Sequence, residues 1–261
     1  MASCWAAPRG GCGEPSREHY LTAGLWSGDS VSVIGFSWCK DAPKDVGIGS
    51  LTAKVLCEPH NNDLSDVDTA AIDAFAAIRG AVELANKRAG KRARKWKLRR
   101  FEADGPRFER WFLKAAANLC AMAETTNTWD LSGGPLKTIP KPIVSAAFGD
   151  SSLPAPMGLY CATQVGEQVE HKLGVSFAPL MEGAGSVVGF VFTFLGMRFL
   201  LWTSNRALPE ALVLPGAHEA AWRRSELLYH LAYARHSVGG HLSHYIHFRW
   251  PGHKAPAWVY A

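Results

Sequence analysis

Two short segments about forty residues apart restrict what this chain can fold into more than anything else in it. The first is Cys4 followed by Cys12-Gly-Glu-Pro-Ser-Arg-Glu-His19. The second is Val55-Leu-Cys-Glu-Pro-His-Asn-Asn-Asp-Leu-Ser-Asp-Val-Asp68. Each supplies a pair of soft metal ligands, Cys4 with Cys12 and Cys57 with His60, and one zinc ion held by all four would staple the segments together. Residues 1–60 call for such a staple: they are rich in Gly, Pro, Ser and Cys, have few long apolar periods, and cannot bury a large core alone. Cys57-x2-His60 has ordinary ligand spacing. Seven residues separate Cys4 from Cys12, so Pro8, Arg9, Gly10 and Gly11 must loop out, and Cys39 is the alternative to Cys4. Just beyond each pair lie harder or neutral donors, Glu18 and His19 in the first segment and Asn61 in the second, with Asp63 in reserve. A carboxylate, an imidazole and an amide oxygen brought to one point suit phosphodiester hydrolysis around a second cation. A carboxylate with an amide oxygen favours Mg2+ or Mn2+ over Zn2+.

The rest of the chain is built to fold. Its 261 residues, 48% apolar and 20% charged, suffice for one large or two small domains and exclude a disordered polymer. The net charge of +5 is unevenly spread: residues 1–70 hold 5 Lys/Arg against 9 Asp/Glu, and residues 71–115 hold 13 against 5. The acids thus gather where a cation is expected, and the bases lie directly downstream. No charged region followed by an apolar run opens the chain, which predicts no secretory signal. The most apolar window, Val187 to Trp202, is shorter than the roughly 20 residues of a membrane helix and contains Arg198, so no membrane is expected. The six cysteines then read as thiols or metal ligands, and the expected location is cytoplasmic.

Residues Ser30 to Trp38 alternate polar and apolar and predict a strand; Leu51 to Leu56 predict a second, ending at Cys57. Leu64, Val67, Ala71, Ala74, Phe75, Ile78 and Val82 recur at three- and four-residue spacing, predicting a helix from Leu64 to Lys87 that Gly90 ends. The run Lys87, Arg88, Lys91, Arg92, Arg94, Lys95, Lys97, Arg99 and Arg100 places nine bases in fourteen residues, with Trp96 and Leu98 alternating as in a strand. It reads as a phosphate-contacting surface, the alternative being a solvated charged face. Residues 105–124 predict another helix, with Phe108, Trp111, Phe112, Ala115, Leu119 and Met122 on one face, and Thr125 to Pro142 predict a linker. Beyond it the pattern is mostly strand, at Met157–Val165, Val169–Ala178, a hairpin about Gly196 and His244–Trp250, with a helix over Ala217–Ala234. Cys120 and Cys161 fall on apolar patterns and read as core thiols. His230, His236, His241, His244, His247 and His253 lack carboxylates or cysteines spaced for a second metal site. The predicted class is α+β: a small module over residues 1–90 with its long helix, a basic segment and connecting helix over 91–130, and a mostly β domain over 131–261.

On these residues the first quarter of the chain, Cys4 to Asp68, resembles the HNH, or ββα-metal, endonucleases in their zinc-stapled form. The resemblance implies the order strand, strand, helix, with Glu18 as a metal ligand, His19 as general base and Asn61 as the last metal ligand. His60 stands where the family more often has a fourth Cys, and Thr52 stands near the place of an Asn that braces the loop. The activity that the resemblance implies is that of a metal-dependent endonuclease, DNA favoured over RNA, with structural zinc and catalytic Mg2+ or Mn2+. The C-terminal domain would select a target, a protein partner or a second copy. Two further readings stay open: a non-catalytic zinc module that binds nucleic acid, and the nuclease subunit of a partner-controlled defence complex, the latter by analogy alone. A pure nucleic-acid reader has no use for the Glu18–His19 pair.

Overall fold

The computed structural model describes residues 4–36, 38–39, 41–89, 91, 96–122, 130–131, 139–161, 175–182, 186–194, 197–207, 233–238 and 241–251. In chain order they form β1 (Pro15–His19), β2 (Ser30–Ile34), β3 (Lys44–Gly47), β4 (Thr52–Cys57), α1 (Glu58–Asp63), α2 (Ser65–Arg88), β5 (Arg99–Asp104), α3 (Gly105–Met122), β6 (Asp130–Leu131), α4 (Lys141–Phe148), β7 (Gly158–Cys161), β8 (Val175–Glu182), β9 (Ser186–Phe194), β10 (Met197–Trp202), β11 (Tyr233–Val238) and β12 (His241–Arg249). The class is α+β, with a Cys/His cluster at the N-terminus and a mostly β C-terminal region.

Three sheets arise. The strands β1 and β4 form an antiparallel pair of their own, with Pro15 opposite Cys57 and His19 opposite Thr52. A larger sheet runs β3-β2-β8-β9-β10-β7, with β6 added beside β9, and a third runs β11-β12-β5. The strand that pairs with β4 is therefore β1, which carries Glu18 and His19, whereas β2, within the strand read from Ser30 to Trp38, joins the large sheet. Strand β2 stops at Ile34 because Gly35 turns the chain at φ +109°, where a Cβ would run into the Phe177 carbonyl. It joins the large sheet through a parallel contact of Val33 with Val175, and β5 pairs in parallel with β12. Both pairings cross the three-part division read from the sequence. One hydrophobic cluster extends from Trp5 to Trp250.

Two helices organise that cluster. In α2 the residues Val67, Ala71, Ala74, Phe75, Ile78 and Val82 are buried at helical spacing, and Asp66 and Asp68 in the first turn and Lys87 and Arg88 in the last complement the helix dipole. In α3 the buried face includes Phe108, Trp111, Phe112, Ala115 and Leu119, together with Lys114 and Asn118 one turn apart. Phe75 meets Phe194 at 4.6 Å between ring centroids, and Phe112 meets Phe199 at 5.2 Å, so both helices lie on β9 and β10. The strands on either side of the hairpin expected about Gly196 pair antiparallel, with Phe194 opposite Met197, residues 195–196 themselves lying outside the described residues.

Several expectations need correction. Helix α4, for which no expectation was made, begins at the last two residues of the stretch read as a linker, Thr125 to Pro142, and runs beyond it; Pro142 at its start and Gly149 at φ +80° after its end mark both limits. Residues 96–98 are no strand; β5 begins at Arg99. Tyr233 opens a strand where a helix was expected to end. Gly90, Arg92, Arg94, Lys95 and residues 123–129, 132–138, 162–174 and 217–232 lie outside the described residues. Among the described residues, no helix is long and apolar enough to cross a membrane.

Candidate metal centre and the polar network behind it

The chain brings Cys4, Cys12, Cys57 and His60 to one point, with their donor atoms all within 4.8 Å of one another. The wide Cys4–Cys12 spacing is absorbed by a single 3-10 turn over Ala7–Arg9, followed by Gly10 and Gly11 at φ +79° and +67°. Two consecutive left-handed residues reverse the chain, a path that side chains with a Cβ rarely take. Main-chain bonds then fix the loop against β4, from Trp5 N to Val55 O at 3.0 Å and from Glu58 N to Glu14 O at 2.9 Å. Cys57 ends β4 and His60 rides on α1, so the second ligand pair is set by a strand-to-helix corner.

His60 Nδ1 lies 3.3, 3.8 and 3.1 Å from the Sγ atoms of Cys4, Cys12 and Cys57. A tetrahedral ion with bonds of about 2.3 Å to sulfur and 2.0–2.1 Å to nitrogen sets nitrogen and sulfur about 3.6 Å apart. The group can therefore hold a metal ion such as zinc. Burial pushes the Cys4 thiol up to about 12 and raises Cys12 as well. Burial opposes ionisation of Cys57 too, but the N–H groups of His60 and Gly13 and the thiols of Cys4 and Cys12 outweigh it and lower that thiol. Crowded thiols resist a second negative charge, and a bound cation reverses that resistance. Cys39 is buried elsewhere and is not part of the group.

Further along β1, the carboxylate of Glu18 is buried and meets the ammonium of Lys114 at 2.6 Å. Lys114 is itself only 2% exposed, and its Nζ also meets Asp68 Oδ2 at 2.7 Å. The Thr22 hydroxyl donates to Asp68 Oδ1 at 2.6 Å, and Trp111 Nε1 donates to Thr22 at 2.8 Å. Burial pushes the Glu18 carboxyl above its ordinary value, while Lys114 pulls it back and Asp68 adds to the rise. Sequence reasoning missed Lys114. Its signal was a lysine set inside Trp111-Phe-Leu-Lys-Ala-Ala-Ala, a stretch that could bury it only with a partner. Asp68 lies in the first turn of α2, and its oxygens are used in this network.

The other expected site residues are placed unevenly. His19 follows Glu18, half-buried and opposite Thr52. A β-bulge between Ser16 and Glu18 bends β1 just before the pair, in place of regular alternation. Asn61 on α1 donates from Nδ2 to Ser16 Oγ at 3.3 Å, which brings α1 against the strand that bears Glu18 and His19. Thr52 accepts a bond from Arg17 Nε at 2.9 Å, which ties β4 to β1. Of the basic run, Lys87, Lys91, Lys97, Arg99 and Arg100 are exposed. Arg88 corrects the expectation of a uniform surface: it donates to Ser243 O and Lys97 O and stacks on Trp96 at 5.2 Å. Arg100 is engaged by Glu102 and His247. An open groove of about 370 Å³ at the start of α3 is lined by Asp66, Asp73, Glu102, Asp104, Arg107 and Arg249, too acidic to attract a phosphate backbone.

Comparison with known proteins adds no relative: no family model matches the chain, and no curated protein or solved structure matches it.

Proposed function

We propose that the chain is a metal-dependent endonuclease of the ββα-metal type, with duplex DNA as its preferred substrate. One observation carries the reading. The antiparallel pair of β1 and β4 is closed at one end by the Cys3His group, and β4 leads directly into α1, whose Asn61 bonds back to β1. In this reading zinc is structural, and His19 takes the proton from the attacking water. For a catalytic cation the donors left over are Glu18 Oε2 and Asn61 Oδ1, which have no hydrogen-bond partner among the described residues. Two hard oxygens of this kind suit Mg2+ or Mn2+, which would neutralise the charge that develops on the phosphate. The exposed bases Lys87, Lys91, Lys97 and Arg99 would hold the backbone of the nucleic acid.

The test is incubation of purified protein with supercoiled plasmid in Mg2+, Mn2+ or EDTA, beside His19→Ala. The expected result is cation-dependent nicking that His19→Ala lowers by about 10²–10⁴ while binding persists. Cleavage by the variant at the parent's rate removes His19 from the mechanism. A second reading is favoured by the Glu18–Lys114 ion pair, which already occupies one oxygen of the proposed cation ligand. It is a zinc-containing module that binds nucleic acid without cutting it, and it predicts binding without nicking in every cation.

A further inference from the structure

We infer that Lys114 is a positioning residue for Glu18: braced by Asp68, it fixes one oxygen of the Glu18 carboxylate so that the other is presented to a divalent cation. The inference rests on the endonuclease reading and adds residues that the resemblance does not supply.

Its basis is the direction of the network. Trp111 donates to Thr22, Thr22 to Asp68, and Lys114 bridges Asp68 and Glu18, so Oδ1 of Asp68 is taken by Thr22 and Oδ2 by Lys114. Among the described residues Glu18 is engaged only at Oε1. The chain of bonds from Trp111 through Thr22, Asp68 and Lys114 therefore ends on a carboxylate whose second oxygen has no partner among the described residues. Two carboxylates share a single ammonium, so the group keeps a net negative charge and still attracts a cation. The anchors come from α2 and α3, which belong to the aromatic core, whereas Glu18 belongs to a two-stranded sheet. Without the bridge nothing apolar fixes where its carboxylate lies, because Glu18 is the one buried residue of β1. Outer partners that orient a metal-ligating carboxylate commonly change metal affinity by about 10–100-fold when they are removed.

Lys114→Met would leave two carboxylates without a counter-ion and threatens the fold, so Asp68→Asn and Thr22→Val carry the test. Neither residue touches the cation or the substrate. Mn2+ binding to the zinc-loaded full chain is followed by the electron paramagnetic resonance of free Mn2+, with Glu18→Gln defining which bound Mn2+ depends on Glu18. Plasmid cleavage and thermal unfolding are recorded in parallel. The expected result is Glu18-dependent Mn2+ binding in the parent, weakened about tenfold or more in Asp68→Asn and less in Thr22→Val, with zinc content unchanged. A purely structural network would lower the unfolding temperature of Asp68→Asn and leave the Mn2+ dissociation constant of the folded protein where it was. That outcome, with a parent that binds Mn2+ and cuts, overturns the role of Lys114 and leaves the endonuclease reading standing. A parent that shows no Glu18-dependent Mn2+ and does not cut overturns both.

Discussion

Strand β1 and the core beneath α3 are held by different physics. In β1 the only buried side chain is Glu18, a carboxylate; no apolar residue of that strand reaches the interior. The strand is fixed by its ladder to β4, by the Cys3His group at the Pro15 end and by Lys114 near the other. In α3, by contrast, Phe108, Trp111 and Phe112 are each at most 1% exposed and pack among the rings of Phe75, Phe192, Phe194 and Phe199. The residues proposed for chemistry thus stand on an element with almost no hydrophobic support. Their placement depends on polar devices anchored in the core.

Metal removal separates the two regions most sharply. Structural zinc in small finger modules contributes an apparent 10–16 kcal/mol or so, more than any single side chain here can. Elemental analysis should find about one tightly held zinc per chain. Chelation, or Cys57→Ser, should release β1: its amides exchange as fast as an open chain, while amides of α3 stay protected. Protection of β1 that survives chelation would mean that the ladder and Lys114 suffice, and that the Cys3His group is incidental to the fold.

Phe112→Ala attacks the other side of the comparison. Truncating a fully buried phenylalanine costs about 3–5 kcal/mol, and here the loss should be global, moving the urea midpoint of every probe together. Folded molecules should keep their zinc, since no ligand lies on α3. A midpoint that shifts only for β1 would mean that the aromatic cluster does not unite the chain.

These two regions were also unequally legible. Ligand chemistry is written in local spacing, so Cys57-x2-His60-Asn and Arg-Glu-His pointed to one place across about forty residues. The helix periodicities of α2 and α3 were equally plain, because a buried face repeats every three or four residues. What the sequence does not encode locally is pairing over distance. Nothing in Ser30–Ile34 names Val175 as its neighbour, and nothing in Arg99–Asp104 names β12. The Lys114 network spans β1, the turn at Thr22, α2 and α3, and periodicity alone cannot say which acid will meet a lysine nearly a hundred residues away. Helix α4 is a different case: Pro142 and Gly149 mark its limits, but at only 8 residues its pattern is too short to stand out by periodicity.

The basic run extends the comparison to the smallest expected effect. Within it, Arg88 belongs to the core side: its guanidinium ties α2 to Ser243 on β12 and to the Lys97 carbonyl. Lys87, Lys91, Lys97 and Arg99 belong to the solvent side and are the bases available to meet a nucleic acid. If they contact phosphate, replacing all four by Gln should reduce the salt slope of duplex binding by three to four units, about 0.9 for each lost contact. Arg88→Gln should leave that slope unchanged and instead lower stability by about 1–2 kcal/mol, the worth of its hydrogen bonds. Cleavage at saturating substrate should survive both changes, since His19 is untouched. Length sharpens the test. Twenty residues of helix separate Asp68, beside the Glu18 network, from Arg88, and at about 1.5 Å each they span about 30 Å. At 3.4 Å per base pair a duplex needs roughly nine pairs to cover that distance. The contribution of the four bases should therefore vanish on a duplex of about six pairs and return on one of about twelve. A quadruple variant with the parent's slope on the longer duplex would make the run a solvated face, and the grip on nucleic acid would have to be sought on the β1–β4 pair itself.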